Sequence, residues 1–229
     1  MNKTKIEWCD YTINPIVGCS NGCYYCYARK INNRFNNTLF EIPIYYPERL
    51  LQIDKIKDPS RIFLGSMCDL FDRKIKDEWR NEIFDKISNT KHIYMILTKQ
   101  IENFINYDKK NISNNNIWFG ITITGKEDWT LENISSLFRF VSIEPFLEKL
   151  NDDLLQIVSQ MEWIIVGGLT GYNEYKLNPK WVYNILDICN EFKIPFFFKG
   201  RGGNMKKDDP YYYKIDGIEW RQFPEELKL

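Results

Sequence analysis

Short apolar runs alternate with longer amphipathic stretches along most of the chain. The runs are rich in β-branched and aromatic side chains, as strands buried on both faces of a parallel sheet are. They are Ile62–Leu64, Ile93–Leu97, Ile117–Ile123, Phe138–Ile143, Trp163–Val166 and Ile194–Phe198. Because polar or glycine-containing segments separate these runs, the pattern predicts a series of short buried strands.

The stretches between the runs predict helices. In Asp77–Ser88 the apolar side chains fall on one stripe at helical spacing. Pro179–Phe192 follows Asn178, and Asn before Pro is a favourable start for a helix. Further helices are predicted at Tyr27–Phe35, Leu131–Phe138 and Asp152–Gln160. Strand and helix therefore alternate, as they do in an α/β fold with a parallel sheet.

Nearly every apolar run ends on polar or glycine residues. These residues are Gly65, Ser66, Asp69, Thr98, Lys99, Thr122, Thr124, Ser142, Glu144, Gly167, Gly168 and Lys199. In a (β/α) barrel the carboxyl ends of all strands meet at one mouth, whereas an open doubly wound sheet gathers only its switch-point residues. The pattern therefore favours a full or partial (β/α) TIM-type barrel of parallel strands. No internal linker is visible, so residues 1–229 are expected to form a single barrel domain, with 200–229 as its C-terminal strand and tail.

Charge and composition narrow the classes of protein. The 31 basic and 31 acidic residues balance, so the chain lacks the basic excess that proteins gripping duplex DNA usually carry. The first ten residues are too polar for a signal peptide, and no apolar run approaches the length of a membrane span. We therefore expect a cytoplasmic protein without a membrane partner, whose cysteines stay reduced.

Three of the six cysteines lie together in the loop 18–27. Cys19, Cys23 and Cys26 have the spacing C-x3-C-x2-C, with no fourth cysteine nearby. Three thiolates on one loop can hold three irons of a cubane cluster and leave the fourth iron open, as a substrate-binding cluster requires. Gly18 and Gly22 allow the backbone to fold closely around the sulfurs. The spacing therefore predicts a [4Fe–4S] cluster.

Two other interpretations of the cysteines remain open. A structural zinc site normally has four ligands, so a distant residue would have to join the three thiols. The residues that could do so are Cys9, Cys68, Cys189 and His92. Alternatively, the cysteines are unligated core residues. If the metal is only structural, the chain would be a zinc- or iron–sulfur-bearing module that binds nucleic acid or a partner without catalysis.

At the cysteine loop the sequence resembles the radical S-adenosylmethionine superfamily, whose hallmark is C-x3-C-x-Φ-C with an apolar or aromatic Φ, here Tyr25. The string NPIVGCSNGCYYCYAR is similar to the spore photoproduct lyase-like branch. Over Lys5 to Trp220 the chain also resembles a phage and prophage family of three-cysteine proteins with no assigned reaction. The stretches that carry this resemblance include KIEWCDYTINP, RIFLGSMCDLFD, FVSIEPFLE, WIIVGGLTG and IPFFFKGRGG.

The resemblance implies a catalytic mechanism. Cys19, Cys23 and Cys26 would bind the cluster, and its open iron would chelate S-adenosylmethionine. An electron from a donor such as flavodoxin or ferredoxin would cleave this cofactor to a 5′-deoxyadenosyl radical, which abstracts a hydrogen from the substrate. A nucleotide or nucleic-acid base is the favoured substrate, and a separate partner protein is a further possibility. Phage or prophage origin is implied as well, and Cys9 and Cys68 are implied not to be ligands.

The resemblance also assigns cofactor contacts near the cysteine loop. Tyr25 would pack against the adenine, and Ser66 and Asp69 would contact the amino group of S-adenosylmethionine. Lys99, at a strand end, could meet the cofactor carboxylate or an anionic substrate. Each residue also has a structural interpretation: a core aromatic for Tyr25, a turn cap for Asp69 and a solvated charge for Lys99.

The later strand ends supply the remaining candidates. Pairs two residues apart share a strand face, which applies to Thr122 with Thr124 and to Ser142 with Glu144. Their hydroxyls and carboxylate could bind the ribose or methionine part of the cofactor, although Glu144 could equally form a structural salt bridge. Gly167 and Gly168 would permit close approach of a ligand. The last candidates lie in one basic, glycine-rich segment: Lys199, Arg201, Lys206 and Lys207. This segment would bind a phosphate or carboxylate of the substrate, or it is a solvated loop without a ligand.

Overall fold

The computed structural model describes residues 3–35, 38–107, 115–171, 176–205 and 208–229. These residues form two compact units, Met1–Phe119 together with Leu229, and Gly120–Lys228. None of the helices in these ranges has both the length and the apolar character needed to cross a membrane. The expected single domain over residues 1–229 stays a prediction.

The strands and helices alternate along the chain. The strands are β1 (Tyr11–Ile13), β2 (Ile16–Val17), β3 (Ile44–Tyr45), β4 (Arg61–Leu64), β5 (Ile93–Thr98), β6 (Ile117–Ile123), β7 (Phe138–Ile143), β8 (Trp163–Gly167), β9 (Phe196–Gly200), β10 (Lys214–Ile215) and β11 (Ile218–Glu219). The α-helices are α1 (Tyr27–Phe35), α2 (Asp77–Ser88), α3 (Ile101–Asn106), α4 (Asp152–Ser159) and α5 (Pro179–Phe192). Short 3₁₀ helices lie at Pro47–Lys55, Leu131–Asn133 and Glu225–Leu227.

Seven strands form one sheet in the order β1-β4-β5-β6-β7-β8-β9. The pairs β1–β4, β4–β5, β7–β8 and β8–β9 are parallel. This order follows the chain, whereas a doubly wound sheet reverses its order at a switch point. The seven strands lie side by side in chain order, and β1 and β9 are the two edge strands of the sheet. The predicted α/β fold of partial (β/α) barrel type is therefore confirmed.

The first unit surrounds an aromatic core. Phe71 packs edge-on against Phe104, with ring centroids 4.8 Å apart, and also contacts Phe84 and Phe119. These side chains come from α2, α3, β6 and the loop after β4, so one ring joins the sheet to its covering helices. The short strands β2 and β3 form a separate antiparallel pair next to the cysteine loop, with Ile16 opposite Tyr45 and Val17 opposite Ile44.

The second unit has a similar construction. Trp163 on β8 is fully buried between Phe140 on β7 and Phe197 on β9. Helix α5 begins after Asn178, whose side chain accepts the N–H of Lys180, as the Asn-Pro pair predicts. The strands β10 and β11 form an antiparallel hairpin in the 200–229 tail.

One predicted helix is wrong. Leu131–Phe138 contains only the 3₁₀ turn Leu131–Asn133, and Phe138 already begins β7. A capping box between Thr130 and Asn133 begins this turn, and the extended backbone of Ile134 ends it directly after Asn133. The other predicted helices are present, and the sequence pattern missed the short helix α3.

An ion pair ties the amino-terminal ends of β1 and β4 together. The Asp10 carboxylate accepts hydrogen bonds from the Arg61 backbone N–H at 2.8 Å, Nε at 3.2 Å and Nη2 at 3.0 Å. Burial alone would raise the pKa of Asp10, but the hydrogen bonds and charge of Arg61 outweigh it, and the pKa is lowered. The stabilisation is therefore present above the ordinary pKa of 3.8 and is lost as the pH falls through the lowered value.

We expect Asp10→Asn to lower the free energy of unfolding by about 1 kcal/mol at pH 7, since the pair is partly solvent-screened. The difference from the wild-type chain should shrink as the pH falls below the ordinary carboxyl range. Urea unfolding at pH 7 and at a series of pH values down to about 2, well below the ordinary pKa of Asp, measures it. Asp54→Asn, in an exposed pair with Lys86, is the control and should change stability by only a few tenths of a kcal/mol. A loss at Asp10 that does not depend on pH would contradict this account.

Candidate active site

The backbone of the cysteine loop is fixed at its first residue. Gly18 has φ +117°, and a Cβ there would lie 2.9 Å from the carbonyl oxygens of Phe40 and Ile42. Its N–H donates to the carbonyl of Met67 at 3.1 Å, and the next N–H, of Cys19, donates to Phe40 at 2.7 Å. Only glycine fits this position, so the loop starts tightly packed between two segments of the first unit.

The three thiols lie on the turn between this glycine and α1. All three are half-buried, and no disulfide joins any of the six cysteines. Cys19 and Cys26 pack against a small cluster of Val17, Ala28 and Phe40. The Sγ of Cys26 accepts the Arg29 backbone N–H at 3.3 Å, at the start of α1. A backbone N–H directed at sulfur stabilises a metal-bound thiolate, so this contact suits a ligand.

The residues present fit the predicted cluster by donor chemistry. Three partly accessible thiols on one short loop are the donor set of a three-cysteine iron–sulfur site. Burial, and then the charges of Asp69 and Asp72, raise the pKa of Cys19 to about 12, so its thiolate requires a nearby cation. Within the described ranges, no three His, Cys, Asp or Glu side chains are arranged to hold a single metal ion.

A buried carboxylate that sequence reasoning missed holds this loop. Asp72 is fully buried and accepts the Ser20 backbone N–H at 2.5 Å and the Ser20 hydroxyl at 2.9 Å. Ser20 directly follows Cys19. Ser20 and Asp72 are 52 positions apart, so no local sequence pattern predicts their contact. The one visible signal is that Asp72 follows Asp69 by three residues in the segment CDLFD.

The loop after β4 also contacts the cysteine loop. The Asn14 side chain accepts the Ser66 hydroxyl and the Met67 N–H, each at 3.0 Å. The Tyr27 hydroxyl donates to the Ser66 carbonyl at 2.6 Å. Ser66 therefore lies beside the cysteine loop with its hydroxyl bound to Asn14, and its contact with a cofactor stays a prediction.

Asp69 lies in the same loop but binds protein groups through both oxygens. Its Oδ1 accepts the Thr98 hydroxyl at 2.7 Å and the Phe71 N–H at 3.1 Å, and its Oδ2 accepts the Lys99 N–H at 2.8 Å. Burial raises its pKa, although these hydrogen bonds partly offset the effect. This geometry matches the turn-cap interpretation, and the contact of Asp69 with a cofactor amino group stays a prediction.

Tyr25 and Lys99 are neighbours in the first unit. The Nζ of Lys99 lies 5.9 Å from the centroid of the Tyr25 ring, and Tyr24 packs edge-on against the same ring at 5.0 Å. The structure thus brings Tyr25, Ser66, Asp69 and Lys99 into the neighbourhood of the cysteine loop.

In the second unit, Glu144 and Lys199 form an ion pair. The Nζ of Lys199 lies 2.7 and 2.8 Å from the two Glu144 carboxylate oxygens. The side chain of Glu144 is 29% exposed and that of Lys199 is 19% exposed. The pairing matches the salt-bridge interpretation of Glu144, yet it leaves both charges reachable by a ligand. A Cβ at Gly167 would lie 3.2 Å from the Glu144 carboxylate, so this glycine makes room for the pair.

Gly168 has a structural reason to be glycine. A Cβ at this position would lie 2.2 Å from the Arg201 carbonyl oxygen. The Arg201 guanidinium donates to the carbonyls of Tyr211 at 3.1 Å and Lys214 at 2.8 Å, so it binds backbone groups of the tail. The other two residues of the predicted basic loop, Lys206 and Lys207, lie outside the described residues.

The hydroxyl candidates of β6 and β7 are buried. Thr122, Thr124 and Ser142 are each less than a tenth exposed. The Thr124 hydroxyl donates to Glu127 at 2.8 Å, and Glu127 also accepts the Thr124 and Gly125 N–H groups at 2.8 and 3.0 Å. Sequence reasoning missed Glu127, which caps the loop after β6, so Thr124 binds that loop.

The four candidate fourth zinc ligands lie at different places in the fold, and Cys68 is the one placed near Cys19. His92 precedes β5, and at about 3.3 Å per residue it lies roughly 20 Å from Thr98, where Asp69 is bound. Cys9 precedes β1 and is likewise at an amino-terminal strand end. Cys68, in the loop after β4, is close enough to Cys19 for their charges to interact, and burial raises its pKa well above the usual range. Cys189 is buried on α5 in the other unit.

Solved structures of spore photoproduct lyase share this fold. One, complexed with dinucleoside spore photoproduct, has a TM-score of 0.53 at 12% identity and covers 98% of this chain and 71% of that chain. Another, a variant with bound AdoMet and dinucleoside spore photoproduct, has a TM-score of 0.52 at 12% identity and the same coverage. Identity this low establishes that the fold is shared and nothing further.

Two sequence comparisons give matches, one over about a third of the chain and one over nearly all of it. The uncharacterized protein MJ0683 of Methanocaldococcus jannaschii is 31% identical over 81 residues, which is 35% of this chain. The chain matches about a third, 31%, of the length of that protein. Residues 3–224 match the family described as "Protein of unknown function (DUF5131)". This match covers nearly the entire sequence, and the chain therefore belongs to the DUF5131 family.

Proposed function

We propose that this chain is a radical S-adenosylmethionine enzyme whose cysteine loop holds a [4Fe–4S] cluster. The observation that carries the proposal is the loop itself: Cys19, Cys23 and Cys26 lie on a backbone fixed between strand-end segments of this fold. Cys19, Cys23 and Cys26 would hold this cluster, which when bound would supply the electron for reductive cleavage of S-adenosylmethionine and so for hydrogen abstraction from the substrate.

The first unit would provide ligands and orientation. The Arg29 N–H would stabilise the Cys26 thiolate, and the Tyr27 hydroxyl, bound to Ser66, would close one side of the loop against water. Tyr25 offers an aromatic face for adenine, and Lys99 beside it offers an ammonium for a carboxylate. Asp69 would act chiefly by fixing the Lys99 backbone.

The second unit carries charged and hydroxyl candidates of its own, which are a separate part of the proposal. S-adenosylmethionine carries both an ammonium and a carboxylate on its methionine part, and the Glu144–Lys199 pair presents the two complementary charges. Gly167 would leave room for this pair at the strand end, whereas Gly168 packs against the Arg201 backbone. Thr122, Thr124 and Ser142 would line the same unit's strand ends. These roles are parts of the proposal.

A nucleic-acid base or nucleotide is the proposed substrate class. The support is that spore photoproduct lyase, whose fold this chain shares, is complexed with a dinucleoside photoproduct. Balanced charge argues against a duplex-gripping protein, so a nucleotide or an exposed base fits better than long duplex DNA.

An external one-electron donor, such as flavodoxin or ferredoxin, belongs to the proposal. Residues 11–40, which contain the cysteine loop, include three basic residues and no acidic ones. Large apolar side chains are exposed in the same segment, with Phe35 at 71%. Because Arg29 is paired with Glu41 at 3.4 Å, a donor protein would dock chiefly on the exposed apolar side chains beside the thiols.

The test is an anaerobic assay for 5′-deoxyadenosine. The chain is reconstituted with iron and sulfide and given S-adenosylmethionine and dithionite, which removes the need for a protein donor. We expect 5′-deoxyadenosine, with formation increased by the correct nucleotide or base. Stable binding of zinc in place of iron, with no cleavage, would instead support a metal-bearing binding module.

A further inference from the structure

The carboxylate of Asp72 receives most of its hydrogen bonds from the cysteine loop. Its Oδ2 accepts the Ser20 N–H at 2.5 Å, and the Ser20 hydroxyl lies 2.9 Å from both Oδ1 and Oδ2. Its Oδ1 also accepts the Lys74 N–H at 2.9 Å. A fully buried carboxylate is costly unless it is hydrogen-bonded, so the position of Ser20 is strongly coupled to Asp72.

The segment that carries Asp72 is itself fixed to α2. Arg80, 5% exposed, donates from Nη2 to the Asp72 carbonyl and from Nε to the Leu70 carbonyl, each at 2.8 Å. The Arg80 guanidinium also contacts Asp77 at the start of the same helix. Asp72 therefore presents its carboxylate from a rigid part of the first unit, and Ser20 binds to a fixed point.

We propose that Asp72 is a positioning residue that holds the cysteine loop in place through Ser20, so that Cys19 is oriented before any cluster binds. The Gly18 N–H and the Cys19 N–H anchor the loop on one side of Cys19, and Ser20 anchors it on the other. Ligands held by surrounding hydrogen bonds bind a metal centre more tightly than ligands on a mobile loop. The consequence for the cluster rests on the proposed function, whereas the hold on the loop does not.

The test measures the accessibility of Cys19 in the metal-free protein. Each cysteine is alkylated under native conditions and its rate of modification is followed by peptide mass spectrometry. We expect Asp72→Asn to raise the Cys19 rate by about tenfold or more, the effect of losing hydrogen bonds to a charged group. The rate at Cys189, buried on α5, is the internal reference and should not change.

Asp69→Asn is the matched control. Asp69 is buried in the same loop, and its charge acts on the Cys19 thiol as that of Asp72 does. Its side chain, however, binds Thr98, Lys99 and Phe71, none of which belongs to the cysteine loop. Equal Cys19 rates in the two variants would mean that only charge matters and would overturn the proposal.

Variants of Ser20 test the same contact without removing a buried charge. Ser20→Ala removes the hydroxyl and keeps the N–H, so a smaller rise at Cys19 is expected, and Ser20→Thr should restore the wild-type rate. These variants decide the question if Asp72→Asn does not fold. A wild-type Cys19 rate in Ser20→Ala would overturn the proposal, and so would an equal rise at Cys19 and Cys189 in a folded Asp72→Asn variant. Because no iron is present, this result is independent of whether the chain cleaves S-adenosylmethionine.

Discussion

Replacing Cys23 with alanine is expected to leave the chain folded but unable to retain an iron–sulfur cluster. A three-cysteine site that loses one thiolate leaves a second iron without a protein ligand, and such clusters are not held stably. Cys23 is the best choice for the experiment, because Cys19 and Cys26 also pack against Val17, Ala28 and Phe40. The measurement is the iron and sulfide content with the visible absorbance after anaerobic reconstitution, and we expect both to fall to background.

Cys189→Ala provides the control for this variant. Cys189 is a core residue, because its side chain is buried on α5. The same burial raises the pKa of its thiol to about 12. Its replacement should reduce stability by about 1 kcal/mol and leave iron content unchanged. Full cluster absorbance in Cys23→Ala, with circular dichroism showing an intact fold, would contradict the ligand assignment.

Gly168→Ala is expected to destabilise the second unit by about 1–3 kcal/mol or more. The added methyl would lie 2.2 Å from the Arg201 carbonyl oxygen and 2.7 Å from its carbonyl carbon. Because the obstacle is backbone on a neighbouring strand end, no side-chain rotation relieves the clash. In a chain of this size each kcal/mol lowers the melting temperature by about 2–4 °C, so thermal unfolding measures the effect.

The adjacent Gly167→Ala is the matched control for this prediction. Its methyl would meet the Glu144 carboxylate at 3.2 Å, which is the end of a side chain that can shift. We expect a smaller loss of stability, with the effect concentrated on the Glu144–Lys199 pair. A Gly168→Ala variant as stable as the wild-type chain would show that the glycine is retained for some other reason, such as close approach of a ligand.

The sheet could be predicted largely from sequence because its strands are buried and continuous. The runs Ile117–Ile123 and Phe138–Ile143 correspond to β6 and β7 without adjustment. The predicted run Ile194–Phe198 starts two residues before β9, which begins at Phe196, directly after Pro195, a residue without an N–H to donate to a strand ladder. Helix α3 has six residues, too few for a periodic pattern to identify.

The site was less predictable, because its contacts join distant parts of the chain. The cysteine spacing and the polar strand ends are local patterns, and the structure brings several of those residues together within each unit. The pairing of Glu144 with Lys199 and of Ser20 with Asp72 depends on the fold, and neither appears in local spacing. Both Asp69 oxygens accept hydrogen bonds from protein donors, Thr98, Phe71 and Lys99, and the contacts with Thr98 and Lys99 also depend on the fold.

The central claim is that Cys19, Cys23 and Cys26 hold a [4Fe–4S] cluster whose open iron binds S-adenosylmethionine. Mössbauer spectroscopy of the chain reconstituted with ⁵⁷Fe, before and after addition of S-adenosylmethionine, tests it most directly. We expect the spectrum of a [4Fe–4S] cluster in which the signal of a single iron site changes when S-adenosylmethionine is added. A cluster whose spectrum is unaffected by S-adenosylmethionine, or a chain that takes up zinc and no iron, would contradict the account.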